Sequence, residues 1–167
     1  LGLRMVHTYC DKPESLRSVE RLLLNHGPVL GLVVTGILDL RWLMRFMDAH
    51  ENVVLVGDVL GRERTPDVVL RIVANNGAAA GEAMDYLLGL GHRRIAHITS
   101  DLKRVWFREP YEAYVDRLKA RGIPVDKELV VACDDEGIGF GYEAAQRLLR
   151  LRKRPTAIFA TNDRFAW

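Results

Sequence analysis

Residues 73–100 constrain this chain most, because a polar start, one helix, a tight stop and a buried strand follow one another without interruption. Asn76 stands where a helix cap belongs, since its side-chain oxygen can accept from the free N–H groups of a first turn. Ala80, Ala83, Met84, Leu87 and Leu88 recur at i, i+3 and i+4, the spacing of a helix with one buried face. The small alanines let that face come close to a sheet. Gly89 and Gly91 predict a left-handed stop. Ile95, Ala96 and Ile98 then make a short apolar run ending in Thr99-Ser100, where a parallel strand would open onto a pocket.

The same alternation continues on both sides. Leu3 to Thr8 reads as a strand, and Pro13 opens a helix with apolar positions Leu16, Val19, Leu22 and Leu23. Residues 29–35 form a continuous apolar run, which predicts a strand buried on both faces. Leu40, Leu43, Met44 and Met47 mark a helix, residues 53–56 a buried strand closed by Gly57-Asp58, and residues 68–73 a further strand after a charged loop at 61–66. Beyond Ser100 a polar, aromatic loop holds Trp106, Phe107 and Arg108, and Pro110 suits a first helical turn. That helix takes its face from Tyr111, Tyr114, Val115 and Leu118 and ends at Gly122. A strand at 129–132, an acidic turn at 134–137, a helix burying Gly141, Ala144, Ala145, Leu148 and Leu149, and a strand at 156–160 complete the chain. Strands and helices alternating with short connections predict an α/β fold around parallel sheets.

In such sheets ligands sit at the carboxyl ends of strands. Here those ends carry Tyr9, Asp58, Asn75, Asn76, Ser100, Asp134, Glu136, Asn162 and Asp163, a set rich in hydrogen-bonding groups. An apolar share of 49% in 167 residues suffices for one core or two small ones. A net charge of +2 argues against a chain that grips nucleic acid by bulk charge. No apolar run is long enough to span a bilayer, and no secretion-signal pattern is visible. Cys10 and Cys133 are far apart and read as buried free thiols rather than a disulfide, which fits a reducing, cytoplasmic setting.

Several pieces together carry a family likeness: Asn75-Asn76 with the alanine-rich helix, the run from Leu87-Leu88-Gly89-Leu90-Gly91 through His92-Arg93-Arg94-Ile95-Ala96-His97-Ile98, Gly122-Ile123, Gly141-Tyr142 with Leu148-Leu149, and Pro155-Thr156-Ala157-Ile158-Phe159-Ala160-Thr161-Asn162-Asp163. In this order and spacing the chain resembles the effector-sensing domain of LacI/GalR-type bacterial transcription regulators. The resemblance implies a type I periplasmic-binding-protein-like fold of two doubly wound parallel-sheet subdomains, with a small effector (sugar, sugar phosphate or nucleobase) in the cleft between them. It also implies a homodimer, and operator DNA bound only through an amino-terminal helix-turn-helix domain. No such domain precedes Leu1, and the family continues past the position of Trp167. A fragment incomplete at both ends is therefore expected, with residues 1–75 and 76–167 as its two partial subdomains.

The resemblance places Asn162-Asp163 at the cleft, where amide and carboxylate suit vicinal hydroxyls that both donate and accept. Arg108 lies near the family's effector-binding arginine, although the matching position in this chain is Pro110. Glu136 aligns with a cleft position, against the alternative of an exposed turn carboxylate. Trp106 and Phe107 would stack on a sugar or base face, or anchor their loop by packing. Asp58 and Asn76 are further ligand candidates, the latter competing with its cap role.

Other motifs reduce to structure. The Gly137-Ile138-Gly139-Phe140-Gly141 run lacks the G-x-G-x-x-G spacing and an acidic partner about 20 residues on, so no dinucleotide is expected. Arg147, Arg150, Arg152, Lys153 and Arg154 crowd a helix carboxyl end, which the helix dipole favours. The histidines show no metal-ligand spacing, and no nucleophile–base pair is readable, so neither a cofactor nor an enzyme is expected. A solute-binding protein for transport is the runner-up reading, and an enzyme on a doubly wound sheet the third.

Overall fold

The computed structural model describes residues 29–60, 70–134 and 138–167, together with Arg17, Val19 and Arg21. The strand expected at 3–8, most of the helix expected after Pro13, Cys10, the 61–66 loop and the turn carrying Glu136 lie outside the described residues. The chain divides into two units, Leu1–Val73 and Ala74–Trp167.

In the first unit, strand β1 (Leu32–Asp39) is followed by helix α1 (Leu40–Ala49) and strands β2 (Val53–Leu60) and β3 (Leu70–Ile72). All pairings are parallel, in the order β1-β2-β3. Asp39 caps α1 by accepting from the Arg41 N–H at 2.9 Å. Leu43 and Phe46 of α1 pack on Val53, Leu55 and Val59, and Val19 joins this core at its margin. Phe46 takes the place expected for Met44, which stays exposed. β1 is not buried on both faces: Val33 is 69% exposed and Ile37 49%, because the described helix α1 covers only the face of Val34 and Leu38. Nor does β2 end at Val56. Gly57 adopts φ 140° within the strand opposite Gly36, and a Cβ there would sit 1.9 Å from the Gly36 carbonyl oxygen. Two glycines side by side let the paired strands run on to Leu60, which places Asp58 inside β2 opposite Ile37 rather than beyond a strand end.

The second unit holds helix α2 (Asn76–Gly89), strand β4 (Ile95–Thr99), helix α3 (Val105–Ala120), a 3₁₀ turn (Lys127–Leu129), strand β5 (Val130–Ala132), helix α4 (Ile138–Leu149), strand β6 (Ala157–Ala160) and helix α5 (Asp163–Ala166). The sheet order is β5-β4-β6, all parallel. β4 is central and buried at every residue. One of its faces packs Ile95 against Met84 and Leu88 of α2 and Tyr114 and Leu118 of α3. The other packs Ala96 and Ile98 against Ala144 and Leu148 of α4 and Phe165 of α5. Helices on both faces of a parallel sheet are the doubly wound arrangement.

Several boundaries move. Asn75, not Asn76, caps α2, its oxygen accepting from Ala78 N–H at 3.1 Å. Gly91 alone supplies the left-handed stop, at φ 92°, since Gly89 is still helical. α3 starts at Val105, so Trp106, Phe107 and Arg108 are helical and Pro110 lies inside the helix. Pro110 is buried against the core, and its missing N–H leaves the Trp106 carbonyl without its usual helical donor. Burial sets this boundary: Phe107 and Pro110 continue the stripe of Tyr114 and Leu118, which outweighs the proline. Leu129 falls in the 3₁₀ turn rather than in β5, though its side chain stays in the core. Leu149 is 49% exposed, because α4 buries its Gly141, Ala144 and Leu148 stripe instead.

Gly141 is where α4 and α5 touch. A Cβ there would lie 2.6 Å from the Phe165 carbonyl oxygen and 2.7 Å from its Cα. Gly141→Ala must push α5 off the core, and we expect it to cost about 1–3 kcal/mol in urea unfolding. A loss below about 0.5 kcal/mol would show that α5 shifts freely.

Candidate functional site

The carboxyl edge of the second sheet collects three strand ends and the starts of α2, α3 and α4, as the βα order requires. Ser100, just past β4, donates from Oγ to the Cys133 carbonyl at 2.8 Å, while the Cys133 N–H reaches the Thr99 carbonyl at 2.8 Å. Thr161, just past β6, donates from both N and Oγ1 to the Ile98 carbonyl, each at 3.0 Å. These bonds fix the loop exits relative to one another, so that the groups beyond them stand on a rigid rim. Cys133 is a buried free thiol, and burial pushes its pKa up, as do the nearby carboxylates of Asp134 and Glu143.

On this rim Asn162 is half-buried and its Oδ1 accepts from the Phe165 N–H at 3.0 Å, capping α5. Its amide nitrogen remains the group for an outside acceptor. Asp163 is exposed in the first turn of α5. At the start of α3, Asp101 holds the turn by accepting from Lys103 N–H at 3.0 Å, and its carbonyl accepts from Arg104 N–H at 3.0 Å. The Arg104 guanidinium lies over the Trp106 ring, 5.7 Å from its centroid. Trp106 is half-buried. Arg108 lies 3.8 Å from Glu112 one turn on, a loose and solvent-screened pair. α2 begins beside α3: a Cβ on Gly77 would lie 3.6 Å from Glu109 Cβ.

The structure therefore brings Asn162, Asp163, Trp106, Arg108 and the half-buried Asn76 to one edge of one sheet. Phe107 is also there in sequence, but it is 1% exposed and tilts against Phe165 at 6.1 Å between centroids. It is a core anchor and offers no face to a ligand. Asp58 belongs to the other unit, and Glu136 lies outside the described residues. Sequence reasoning passed over Arg104 and Asp101. Their signal was present, because a cation two residues before Trp106 and an acidic residue three before that cation form a turn-and-cap pattern once the helix start is placed correctly.

Beneath the rim lies a polar pair that spacing alone does not reveal. His97 is fully buried on the α2–α3 side of β4. Its ring stacks with Tyr114 at 5.0 Å, Phe159 at 4.9 Å and Tyr111 at 6.0 Å. Nδ1 lies 3.0 Å from the Phe159 carbonyl, an acceptor, so the proton belongs on Nδ1. Nε2 is then an acceptor with no hydrogen-bond partner among the described residues, and the Thr99 hydroxyl two residues on has none among them either. Burial drives the His97 pKa down to about 4, opposed in part by the Phe159 carbonyl. At neutral pH the ring is uncharged and acts as packing.

The opposite edge is structural. Arg94 pairs with Asp126 at 2.7 Å and donates from Nε to the Lys153 carbonyl at 3.0 Å. The bond from Arg94 Nη1 to the Asp126 carboxylate, with a second from the Glu128 N–H, holds the Asp126 carboxyl below the usual range. His92 contacts Thr156 at 3.0 Å, which fits the structural role expected for it. Among the described residues no three His, Cys, Asp or Glu side chains are grouped to hold a metal ion. Among them, no helix is long and apolar enough to cross a membrane.

Residues 84–167 match the family described as the periplasmic binding protein-like domain. The HTH-type transcriptional repressor PurR of Erwinia tasmaniensis is 32% identical over 123 residues, which is 72% of this chain and 35% of that protein. A regulatory protein of the LacI family from Chloroflexus aggregans superposes with a TM-score of 0.75 at 22% identity, over 94% of this chain and 55% of that one. A sugar-binding transcriptional regulator of the LacI family from Escherichia coli, solved with phosphate, gives a TM-score of 0.69 at 21% identity, over 92% and 54%. The chain thus spans about a third of that curated relative and about half of those solved chains. With the doubly wound sheet, the ordered strand ends and the family match over its second half, this chain belongs to the periplasmic binding protein-like domain family.

Proposed function

We propose that the chain is the ligand-sensing part of a cytoplasmic LacI-type repressor, and that its effector is a small hydroxylated molecule of sugar or nucleobase type. The observation that carries this reading is the rim itself. Asn162, Asp163, Arg108 and the Arg104–Trp106 pair leave the carboxyl ends of β6 and the start of α3 together. A carboxylate accepts from hydroxyl or ring N–H groups, the Asn162 amide and the arginines donate to oxygens, and an indole face stacks on an apolar ring surface. The structural neighbour described as a sugar-binding transcriptional regulator supports the sugar side of this class.

The protein acts as a homodimer in this reading and reaches operator DNA through a helix-turn-helix segment, as the HTH-type relative's name indicates. Effector binding regulates only if the effector prefers one arrangement of the dimer, since equal affinity for both shifts nothing. Thermal-shift screening of the intact protein against pentoses, hexoses, their phosphates and purines tests the reading. A binder at 100 times its Kd adds about 2.7 kcal/mol of apparent stability and raises Tm by several degrees. Asp163→Ala should abolish that rise with the unliganded Tm unchanged within about 1 °C, because Asp163 is exposed. A full shift in Asp163→Ala would remove the carboxylate from the site, and no shift with any of these compounds would overturn the assignment.

A further inference from the structure

The amino edge of the second sheet carries a segregated positive charge that the near-neutral whole conceals. Three connections meet there, leading from α2 into β4, from α3 toward β5 and from α4 toward β6, and the sheet order sets them side by side. Arg94 ties all three together. It stands on the first connection, donates from Nη1 to Asp126 on the second at 2.7 Å, and donates from Nε to the Lys153 carbonyl on the third at 3.0 Å. On this fixed base Arg93, Arg121, Lys127, Arg152, Lys153 and Arg154 are all exposed. In the sequence only residues 152–154 form a run, and the fold brings the other cations to it from distant positions.

Helix dipoles account for part of this charge. The carboxyl ends of α2, α3 and α4 contribute about −0.5 each, about −1.5 together. The carboxylates on these connections are Asp126, which Arg94 neutralises, and Glu128. The six exposed cations exceed those negative charges by about three to four. A surplus spread over three connections is more than one small anion can reach, and it fits a polymer of closely spaced negative charge. We propose that this edge binds the sugar–phosphate backbone of duplex DNA without regard to sequence. Two observations select duplex DNA among polyanions. Four of the six cations are arginines, whose planar fork matches phosphate oxygens. Residues 89–94, 120–128 and 150–156 contain no Phe, Tyr or Trp, so these connections offer neither the stacking platform of a single-strand binder nor the aromatic anchor of a protein interface. The surface lies on the edge opposite Asn162 and Asp163, and its assignment does not depend on the effector reading.

Fluorescence anisotropy of a labelled random-sequence duplex of about 24 base pairs, titrated with the 167-residue chain at several salt concentrations, tests it. About four neutralised phosphates give a slope of log Kobs against log salt of about −3.6, a loss of about twelvefold for each doubling of salt. The triple variant Arg152→Gln/Lys153→Gln/Arg154→Gln should bring the slope to about −1, and Arg121→Gln/Lys127→Gln, on another connection, to about −2. Both variants keep the original Tm within about 2 °C, because the replaced side chains are exposed. No binding at about 20 mM salt, or a slope that neither variant moves, overturns the proposal. A slope moved by only one of the variants confines the contact to one connection and overturns the shared surface. Phosphatidylserine vesicles or polyglutamate that hold the chain at salt concentrations releasing the duplex would overturn DNA as the occupant.

Discussion

Tyr114→Ala should cost about 3–5 kcal/mol, the range for deleting a large aromatic side chain from a core. Tyr114 is fully buried between α3 and β4, and its hydroxyl donates to the Ile95 carbonyl at 2.9 Å. Burial first, then the nearby Tyr111 and Asp126 charges, pushes its pKa up to about 12, so it stays a neutral donor throughout the working range. Two contributions can be separated. Tyr114→Phe keeps the ring and strands only the Ile95 carbonyl, which costs about 1–3 kcal/mol, the penalty of a buried acceptor left alone. The remainder in Tyr114→Ala is the void beside Met84, Leu88 and Leu118 and the lost stacking on His97. Urea unfolding of the two variants and the original chain measures both. Equal losses for Phe and Ala would mean that the hydroxyl carries everything and the ring packs poorly, against the geometry.

Acidification between pH 6.5 and 4 should remove about 3 kcal/mol of stability through His97 alone. The sign follows from where the proton binds. In the folded chain the ring is buried and its pKa is about 4, while in the unfolded chain it is the ordinary 6.5. Between these values the unfolded state binds more protons, so stability is complete above about pH 6.5 and falls as the pH drops. Below about pH 4 both states are protonated and this loss levels off. The Asp126 carboxylate, held low by Arg94, makes its contribution at more acidic pH, so the two can be told apart. His97→Phe should flatten the stability profile between pH 6.5 and 4. Tyr114→Ala should flatten it in part, because opening one face of the ring to water raises the folded-state pKa. An unchanged slope in His97→Phe would show that another group is responsible. The ring stands two residues from Thr99 on the strand that ends at the rim, so its protonation would loosen the floor on which the candidate site rests.

Much of the architecture was legible because it rests on local rules. The i, i+3, i+4 stripe of α2, the apolar run of β4 and the stops at Gly91 and Gly122 depend on residues that lie next to each other in the chain. The alternation of strands and helices then required parallel sheets, and parallel sheets put the polar residues after each strand at one edge. Asn162 and Asp163 were found that way.

What sequence alone determined, then, is the βα order, the parallel sheets and the edge at which Asn162 and Asp163 stand, since each follows from short-range periodicity and chain direction. Tertiary structure decided which side chains are spent on packing. Phe107 became core because Phe165, far along the chain, closes over it. Asn162 was drawn partly into capping α5, and Pro110 entered α3 because the stripe it continues is buried. His97 acquired its depressed pKa only when Tyr111, Tyr114 and Phe159 enclosed it. The physical reason is common to all four: burial and desolvation depend on residues brought together from far apart in the chain, and no local spacing records who those neighbours will be.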